Sequence, residues 1–282
     1  MLIACIAMLF AACHKDGVYN PSKKISKIYY TSTSGYKSLE QVWTWNKNNT
    51  LEKIDFYEGS LYKTYNFSYE KKRLVRMNDY ANNRYVEYKY DSKGLKESNY
   101  YRDGNLMETY TFTHKNGKII RITETYYSSY KDAPDNRDIN PLQFIMPEEM
   151  SAAAFEISKK HKKDSKGSYT CTYDLTWTKS NITKMVFLDN DDGYTYSYEA
   201  QYDKKKNPFY GAYLSFYFED NVEDQSKNNI TRYEYTDTED GQTYRSVINI
   251  EYNYDGNWPI SKRYIYLEDG ETGGLTEYEY TK

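Results

Sequence analysis

The stretch Tyr88-Lys89-Tyr90-Asp91-Ser92-Lys93-Gly94-Leu95 decides the fold, because variants of it recur along the chain. Related stretches occupy residues 43–51, 67–74, 112–119, 175–182, 200–209 and 252–260. Each begins with a segment in which aromatic residues alternate with other residues, and this segment ends at an acidic or amide residue. A short turn rich in Lys, Asn and Gly follows, and in most cases a Leu or Ile then opens the next strand. The second aromatic position of the seven units falls at Trp45, Tyr69, Tyr90, His114, Trp177, Tyr202 and Tyr254. The repeat therefore predicts a strand end, a turn and a strand start, used again and again.

The alternation of residue types predicts strands with one sheltered face. In residues 194–203, Tyr194, Tyr196, Tyr198, Ala200 and Tyr202 face one side and polar residues face the other. A second set of turns, such as 57–60, 81–84 and 102–105, lies between the repeat turns. Short turns at both ends require antiparallel neighbours. The prediction is an all-β fold: an antiparallel up-and-down meander of about 14–17 strands, strongly curved or barrel-like.

Two wider spacings interrupt the repeat. Between His114 and Trp177, residues 128–167 read as an insertion, in which residues 147–163 are predicted to form one amphipathic helix. We expect this helix to pack against the sheet as a plug or cap. Between Tyr202 and Tyr254, the 52-residue spacing leaves room for one further degenerate unit around residues 225–230.

The N-terminus indicates an exported lipoprotein. Residues 1–12 carry no charge and end on Ala11-Ala12 before Cys13, which predicts a signal peptide and a lipidated cysteine. The usual basic residues are absent, so we expect the true start upstream; a buried N-terminal helix or strand is the alternative. Residues 13–24 are the lipidated cysteine and a polar tether, and residues 25–282 a single β domain. The membrane is the partner through this anchor.

Composition excludes several function classes. The chain has 282 residues with 38 basic and 41 acidic side chains, so nothing indicates nucleic acid as a partner. Its 36 tyrosines predict a core of aromatic stripes. Cys5 is expected to leave with the signal peptide and Cys13 to be acylated, so Cys171 alone remains and no disulfide or thiolate cluster can form. Cys171 is interpreted as a small residue on the apolar face of its strand. No metal-ligand spacing or cofactor motif occurs, so we expect no metal, no cofactor and no enzyme activity.

The face opposite the tyrosines is rich in Thr, Ser, Glu, Gln, Lys and Asp. A barrel that crosses a membrane needs an apolar outer band, so the sequence argues against a lipid-spanning barrel.

Residues 88–95 and 252–258 resemble the Tyr-Asp repeat of RHS proteins, whose consensus is Tyr, any residue, Tyr, Asp, two residues, Gly, any residue, Leu. Together with the lipobox and the mid-chain insertion, the arrangement resembles uncharacterised lipoproteins of Bacteroidota with a porin-like fold. The resemblance covers about residues 25–282 and implies a curved or closed antiparallel sheet on an envelope lipoprotein. No activity or catalytic residue comes with it.

Rings beside the repeat turns form the candidate site. If the units align, these rings cluster along one rim and are predicted to bind the flat face of a glycan or another envelope component. The predicted ligand-binding residues are Trp43, Trp45, Trp177, Trp258, Tyr90, Tyr202 and Tyr254. Packing of the strands is the competing role for the same rings. A structural or assembly lipoprotein that takes a partner's strand at a free sheet edge is the second hypothesis, and a hydrolase with paired carboxylates is the third. The predicted location is the outer membrane, on the cell surface or its periplasmic face.

Overall fold

The computed structural model describes residues 18–127, 168–190, 193–211, 225–239, 242–267 and 270–281. Every helix or strand in these ranges is a β-strand, and the strands close into one antiparallel barrel. The strands are β1 (Ile25–Thr31), β2 (Lys37–Trp45), β3 (Leu51–Glu58), β4 (Ser60–Glu70), β5 (Arg73–Asp79), β6 (Arg84–Tyr90), β7 (Leu95–Arg102), β8 (Asn105–Lys115), β9 (Lys118–Tyr126), β10 (Tyr169–Thr178), β11 (Asn181–Asp189), β12 (Thr195–Tyr202), β13 (Ile230–Glu239), β14 (Gln242–Asp255), β15 (Trp258–Tyr266) and β16 (Thr272–Tyr280).

The predicted all-β meander is confirmed, and the sixteen strands fall within the expected number. Each strand pairs with its sequence neighbours, and β1 pairs with β16 from Ile25↔Tyr280 to Thr31↔Leu275. The prediction that the sheet has two edges able to accept a partner's strand is therefore wrong for the described sheet. Closure satisfies the backbone groups that an edge strand would expose.

The barrel has two ends that differ in sequence. We call the end where β1 begins and the even-numbered strands end the lower end, and the opposite end the upper end. The recurring turns, such as 91–94 and 116–117, all lie at the lower end. Asp91 confirms the expected turn chemistry, because its Oδ1 accepts the backbone N–H of Lys93 at 2.7 Å and of Gly94 at 3.2 Å. These hydrogen bonds lower the pKa of Asp91.

The repeat corresponds to a repeated β-bulge. At each of the seven aligned aromatic positions the register shifts, and the aromatic residue pairs with the apolar residue that follows the turn. Tyr90 pairs with Leu95 and Trp177 with Ile182 in this way. A bulge raises the local twist of an antiparallel pair, and seven of them at one end help a long sheet to curl and close.

The core is aromatic, as expected. Tyr196, Tyr198 and Ala200 of β12 are buried, whereas Glu199 and Gln201, which point to the other side, are exposed. Neighbouring strands continue the same face, since Tyr196 stacks on Phe187 with ring centroids 4.6 Å apart. Cys171 is fully buried on this face, as predicted.

Two further predictions concern the residues after β12 and the insertion between β9 and β10. The sequence 200–209 was expected to turn directly into a strand, with a degenerate unit at 225–230. Instead, the described residues 203–211 and 225–229 form no strand, and β13 begins at Ile230, which takes the place opposite Tyr202. Pro208 lacks the N–H that a ladder needs, and Asn207 fixes the irregular backbone by accepting from the Phe209 N–H at 2.9 Å. The helix predicted at 147–163 and its packing as a plug or cap lie outside the described residues.

Candidate functional site

A chain of side chain to backbone hydrogen bonds runs along the lower rim. The aromatic residue at the end of an even-numbered strand donates to a carbonyl near the start of the preceding odd-numbered strand. Trp45 Nε1 lies 2.7 Å from the Ile25 oxygen, Tyr90 Oη 2.7 Å from the Leu74 oxygen, and Trp177 Nε1 2.7 Å from the Ile119 oxygen. Tyr202 donates to Ile182, and Tyr280 to Pro259 at 2.6 Å. Each ring thus ties two strands together beside a bulge, where the ladder itself is interrupted.

Basic side chains lie over the faces of these same rings. Arg73 lies 4.4 Å from the centroid of Tyr90, Lys118 lies 5.2 Å from Trp177, and Lys24 lies 5.7 Å from Trp45. The same contact joins Lys205 to Tyr254 at 5.4 Å and Lys206 to Trp258 at 5.1 Å. Such cation–π contacts contribute roughly 0.5–1 kcal/mol at exposed sites. They occupy ring faces that a sugar would need.

The structure brings the seven predicted ligand-binding residues to the lower end, but none of them is more than half-exposed. Trp43 is buried, and its Nε1 donates to Gln41 Oε1 at 2.9 Å. Trp45, Tyr90, Trp177, Tyr202, Tyr254 and Trp258 are partly buried. The contacts described above give most of them a structural role. Glycan binding by these residues stays a prediction.

The exposed aromatic residues lie at the other end. Among the described residues, the aromatic side chains with the largest exposed fractions all lie at or beside the upper connections. They are Tyr36, Tyr62, Tyr80, Tyr127, Tyr244 and Tyr266. Tyr36 and Tyr80 stand out, with 70% and 72% of their surface accessible. Sequence reasoning missed this set because it followed the repeat turns; the signal was a tyrosine inside or next to the second set of turns, as in 32–36 and 80–83.

Charge is also divided between the two ends. The described lower end, which is the N-terminal segment 18–24 and the lower connections with one strand residue on each side, carries fourteen Lys and Arg residues against four Asp and Glu residues. The described upper connections, counted in the same way, carry three basic and six acidic residues. Among the described residues the lower end therefore carries a net positive charge and the upper end a net negative charge, although the whole chain has a net charge of only −3.

A buried polar cluster lies inside the barrel on β8, β9 and β10. Glu124 is fully buried and accepts hydrogen bonds from Tyr110 Oη at 2.5 Å and Tyr173 Oη at 2.7 Å. The thiol of Cys171 lies 3.1 Å from Glu124 Oε2. Burial raises the pKa of Tyr110 and of Tyr173 well above its usual range, so both remain proton donors to the carboxylate. The cluster links three strands through one acceptor.

The part of the chain that the structure describes contains neither a candidate metal site nor a candidate membrane-spanning helix. No group of three or more His, Cys, Asp or Glu side chains there is placed to bind a metal ion. No helix there is long and apolar enough to cross a membrane.

Comparison with known proteins shows the fold. No family model and no curated protein matches the sequence. The barrel is similar to the crystal structure of a porin-like protein from Bacteroides vulgatus ATCC 8482, with a TM-score of 0.51 and 11% identity over 92% of this chain and 99% of that one. A porin-like protein from Bacteroides uniformis ATCC 8492 matches with a TM-score of 0.52 and 12% identity, over 94% of this chain and 100% of that one. The porin-like fold expected from the resemblance is confirmed at this level, whereas the Tyr-Asp repeat and the lipoprotein family stay predictions.

Proposed function

We propose that this chain is a lipid-anchored, non-catalytic binding protein of a Gram-negative cell envelope, and that it binds a glycan through the tyrosines of its upper end. The observation that carries the proposal is the separation of aromatic residues. Rings at the lower rim have their polar tips bonded to backbone carbonyls, whereas Tyr36 and Tyr80 at the upper end are largely exposed.

The position of the N-terminal segment supports the orientation. Tyr19 is buried at the lower end, where its Oη donates to the Pro208 oxygen at 2.7 Å and its ring centroid lies 5.5 Å from that of Trp45. A lipid on Cys13 would therefore hold the lower end nearer the membrane and leave the upper end facing away. The likeness to porin-like proteins of Bacteroides supports an outer-membrane location. Protease treatment of intact cells distinguishes the two possible locations, because only a protein on the cell surface would be digested.

The outer wall favours a barrel that stands outside the hydrocarbon layer. Cross-strand ion pairs cover it between the two ends, including Arg121 with Asp174 at 2.5 Å and Lys184 with Glu199 at 2.8 Å. Glu234 binds Arg245 at 2.5 Å and Arg232 at 3.0 Å, which lowers its pKa to about 2. An outward charge near the middle of a bilayer costs roughly 2–4 kcal/mol for Arg or Lys.

A glycan fits the upper end by its chemistry. Tyrosine offers a flat apolar face to the C–H groups of a sugar ring and a hydroxyl to its oxygens, with little side-chain entropy to lose. The exposed tyrosines are distributed over several connections of the barrel mouth, from 32–36 to 267–271, which suits an extended polymer.

A protein partner at the same tyrosines is the second candidate. The connection 32–36 and the turn 80–83 combine Tyr with Ser, Thr, Gly, Ala and Asn, close to the residue composition that antibody loops use for protein surfaces. Recognition would use side chains, because the closed sheet offers no strand edge.

The test measures binding of a polysaccharide panel by affinity electrophoresis. We expect Tyr36→Ala with Tyr80→Ala to abolish retention, and Tyr36→Phe with Tyr80→Phe to keep most of it because the rings remain. Trp45→Ala and Trp177→Ala are the contrasting pair at the lower rim. If that pair abolishes retention in a folded barrel while the tyrosine pair does not, the site lies at the lower rim. A blank panel together with a co-purified protein selects the second candidate.

A further inference from the structure

We propose that the lower end of the barrel is a docking surface for an anionic lipid bilayer, so that the protein lies against the membrane by charge as well as by its lipid. The inference rests on the proposed function for the presence of the anchor, and it adds a surface, a partner and an orientation. The carrying observation is the excess of basic over acidic side chains at the lower end, against the opposite balance at the upper end.

The basic groups are available for such a surface. Of the fourteen basic residues at the described lower end, only Lys23 forms an ion pair within the described residues, to Asp255 at 2.9 Å. Lys47, Lys93, Lys204 and Lys227 are exposed there. On the wall the situation is the reverse, because Arg121, Lys184 and Arg245 all face a carboxylate. Among the described residues, the lower end therefore carries positive charge that is largely not paired with carboxylates.

The distribution of this charge favours a flat partner. Basic residues occur in the N-terminal segment and at every described lower connection except the one between β14 and β15. A small anion or a single polymer strand would call for a cleft lined from two or three connections. A ring of charge around a whole barrel mouth matches an extended sheet of headgroups, whose negative potential attracts basic segments within a Debye length.

The rim rings fit the same partner. Trp45, Trp177 and Trp258 lie beneath lysines at the lower end, each with its ring partly exposed. Trp and Tyr are enriched where proteins meet the headgroup region of a membrane. The N-terminal segment with Lys23 and Lys24 starts at this end, so a lipid on Cys13 and the basic ring would address one surface together.

The experiment measures sedimentation of the full chain, carrying Cys13→Ser to prevent acylation, with vesicles. We expect binding to phosphatidylglycerol-containing vesicles, release by salt, and little binding to pure phosphatidylcholine. The variant Lys47→Gln, Lys93→Gln, Lys204→Gln, Lys227→Gln should bind more than about tenfold more weakly. The control Lys37→Gln, Arg121→Gln, Lys184→Gln, Arg245→Gln removes the same charge from the wall and the upper end and should bind as the parent does.

The proposed docking surface would be contradicted by an equal loss of vesicle binding in the two quadruple variants, or by vesicle binding that salt does not weaken. Binding of soluble polyphosphate but not of anionic vesicles also overturns it, in favour of a free polyanion. Retention of the glycan by the lower-end variant is scored in parallel. If the protein with unchanged lower-end lysines fails to bind anionic vesicles but retains the glycan, the docking inference alone fails; if it binds the vesicles but no glycan, the proposed function alone fails.

Discussion

Tyr90 on β6 donates its hydroxyl to the carbonyl oxygen of Leu74 on β5, at 2.7 Å. Leu74 is itself the residue that pairs with Tyr69 at the preceding bulge, and Tyr90 pairs with Leu95 at the next one. One side chain therefore connects two successive units of the repeat. This relationship explains why an aromatic residue precedes each turn and an apolar residue follows it. Both residues are needed, because the aromatic residue of one unit contacts the apolar residue of the preceding unit.

Tyr90→Phe should lower the free energy of unfolding by about 1 kcal/mol, because it removes the donor to Leu74 and keeps the ring. Denaturant unfolding followed by tryptophan fluorescence measures this change. Tyr80→Phe is the matched control: its side chain is 72% exposed, and we expect a change within about 0.5 kcal/mol. Equal effects of the two substitutions would show that the Tyr90 hydroxyl contributes nothing to stability.

Gly274→Ala should disrupt the seam where β16 meets β1. A Cβ at Gly274 would contact the ring of Tyr30 and stand 2.6 Å from the Thr31 carbonyl oxygen, and a backbone atom cannot move aside as a flexible side chain can. Overpacking of this kind costs roughly 1–3 kcal/mol. Gly273→Ala is the control, because its Cβ would meet Tyr264 Cβ at 3.4 Å. Thermal unfolding compares them, and a Gly274→Ala barrel as stable as Gly273→Ala would contradict the close approach.

Alkali should unfold the barrel through its buried tyrosines. Burial raises the pKa of Tyr65, Tyr110, Tyr173 and Tyr196 well above the ordinary value of 10.0, so the folded state keeps protons that the unfolded chain releases. Their contribution to stability is complete below about pH 10 and declines as the pH rises beyond it. Absorbance of the phenolate band should rise in two stages, with the second stage coinciding with loss of β-sheet circular dichroism. A single stage with the fold intact would show that these hydroxyls are accessible.

The hairpin architecture was readable from the sequence because its causes are local. Alternation in 194–203 sets the buried face, and Asp91 with Gly94 sets the turn. Closure was not readable, since nothing near Ile25 marks Tyr280 as its partner. The absence of a strand in residues 203–211 was missed because Asp203 follows β12 as it would before a short turn, and its Oδ1 accepts the Lys205 N–H at 2.9 Å.

The candidate site was harder to predict than the fold. Composition counts Tyr36 and Tyr90 alike, yet one is exposed at the upper end and the other is bonded into the lower rim. What separates them is whether a carbonyl of the neighbouring strand lies within reach, and this depends on the register of the bulge. Trp43 lies two residues before Trp45 on β2 and is buried, although the sequence places both rings beside the same turn.

The pairing of β1 with β16 determines when, during synthesis, the barrel can close. Ile25 and Tyr280 meet across nearly the whole chain, so the entropy of closing that loop must be met before their ladder contributes anything. A nascent or exported chain that lacks its last strand would present two open rims of backbone, each a template for joining another molecule. A barrel that closes only through its sixteenth strand therefore depends on that strand being synthesised, and on the chain being kept apart from its copies until then.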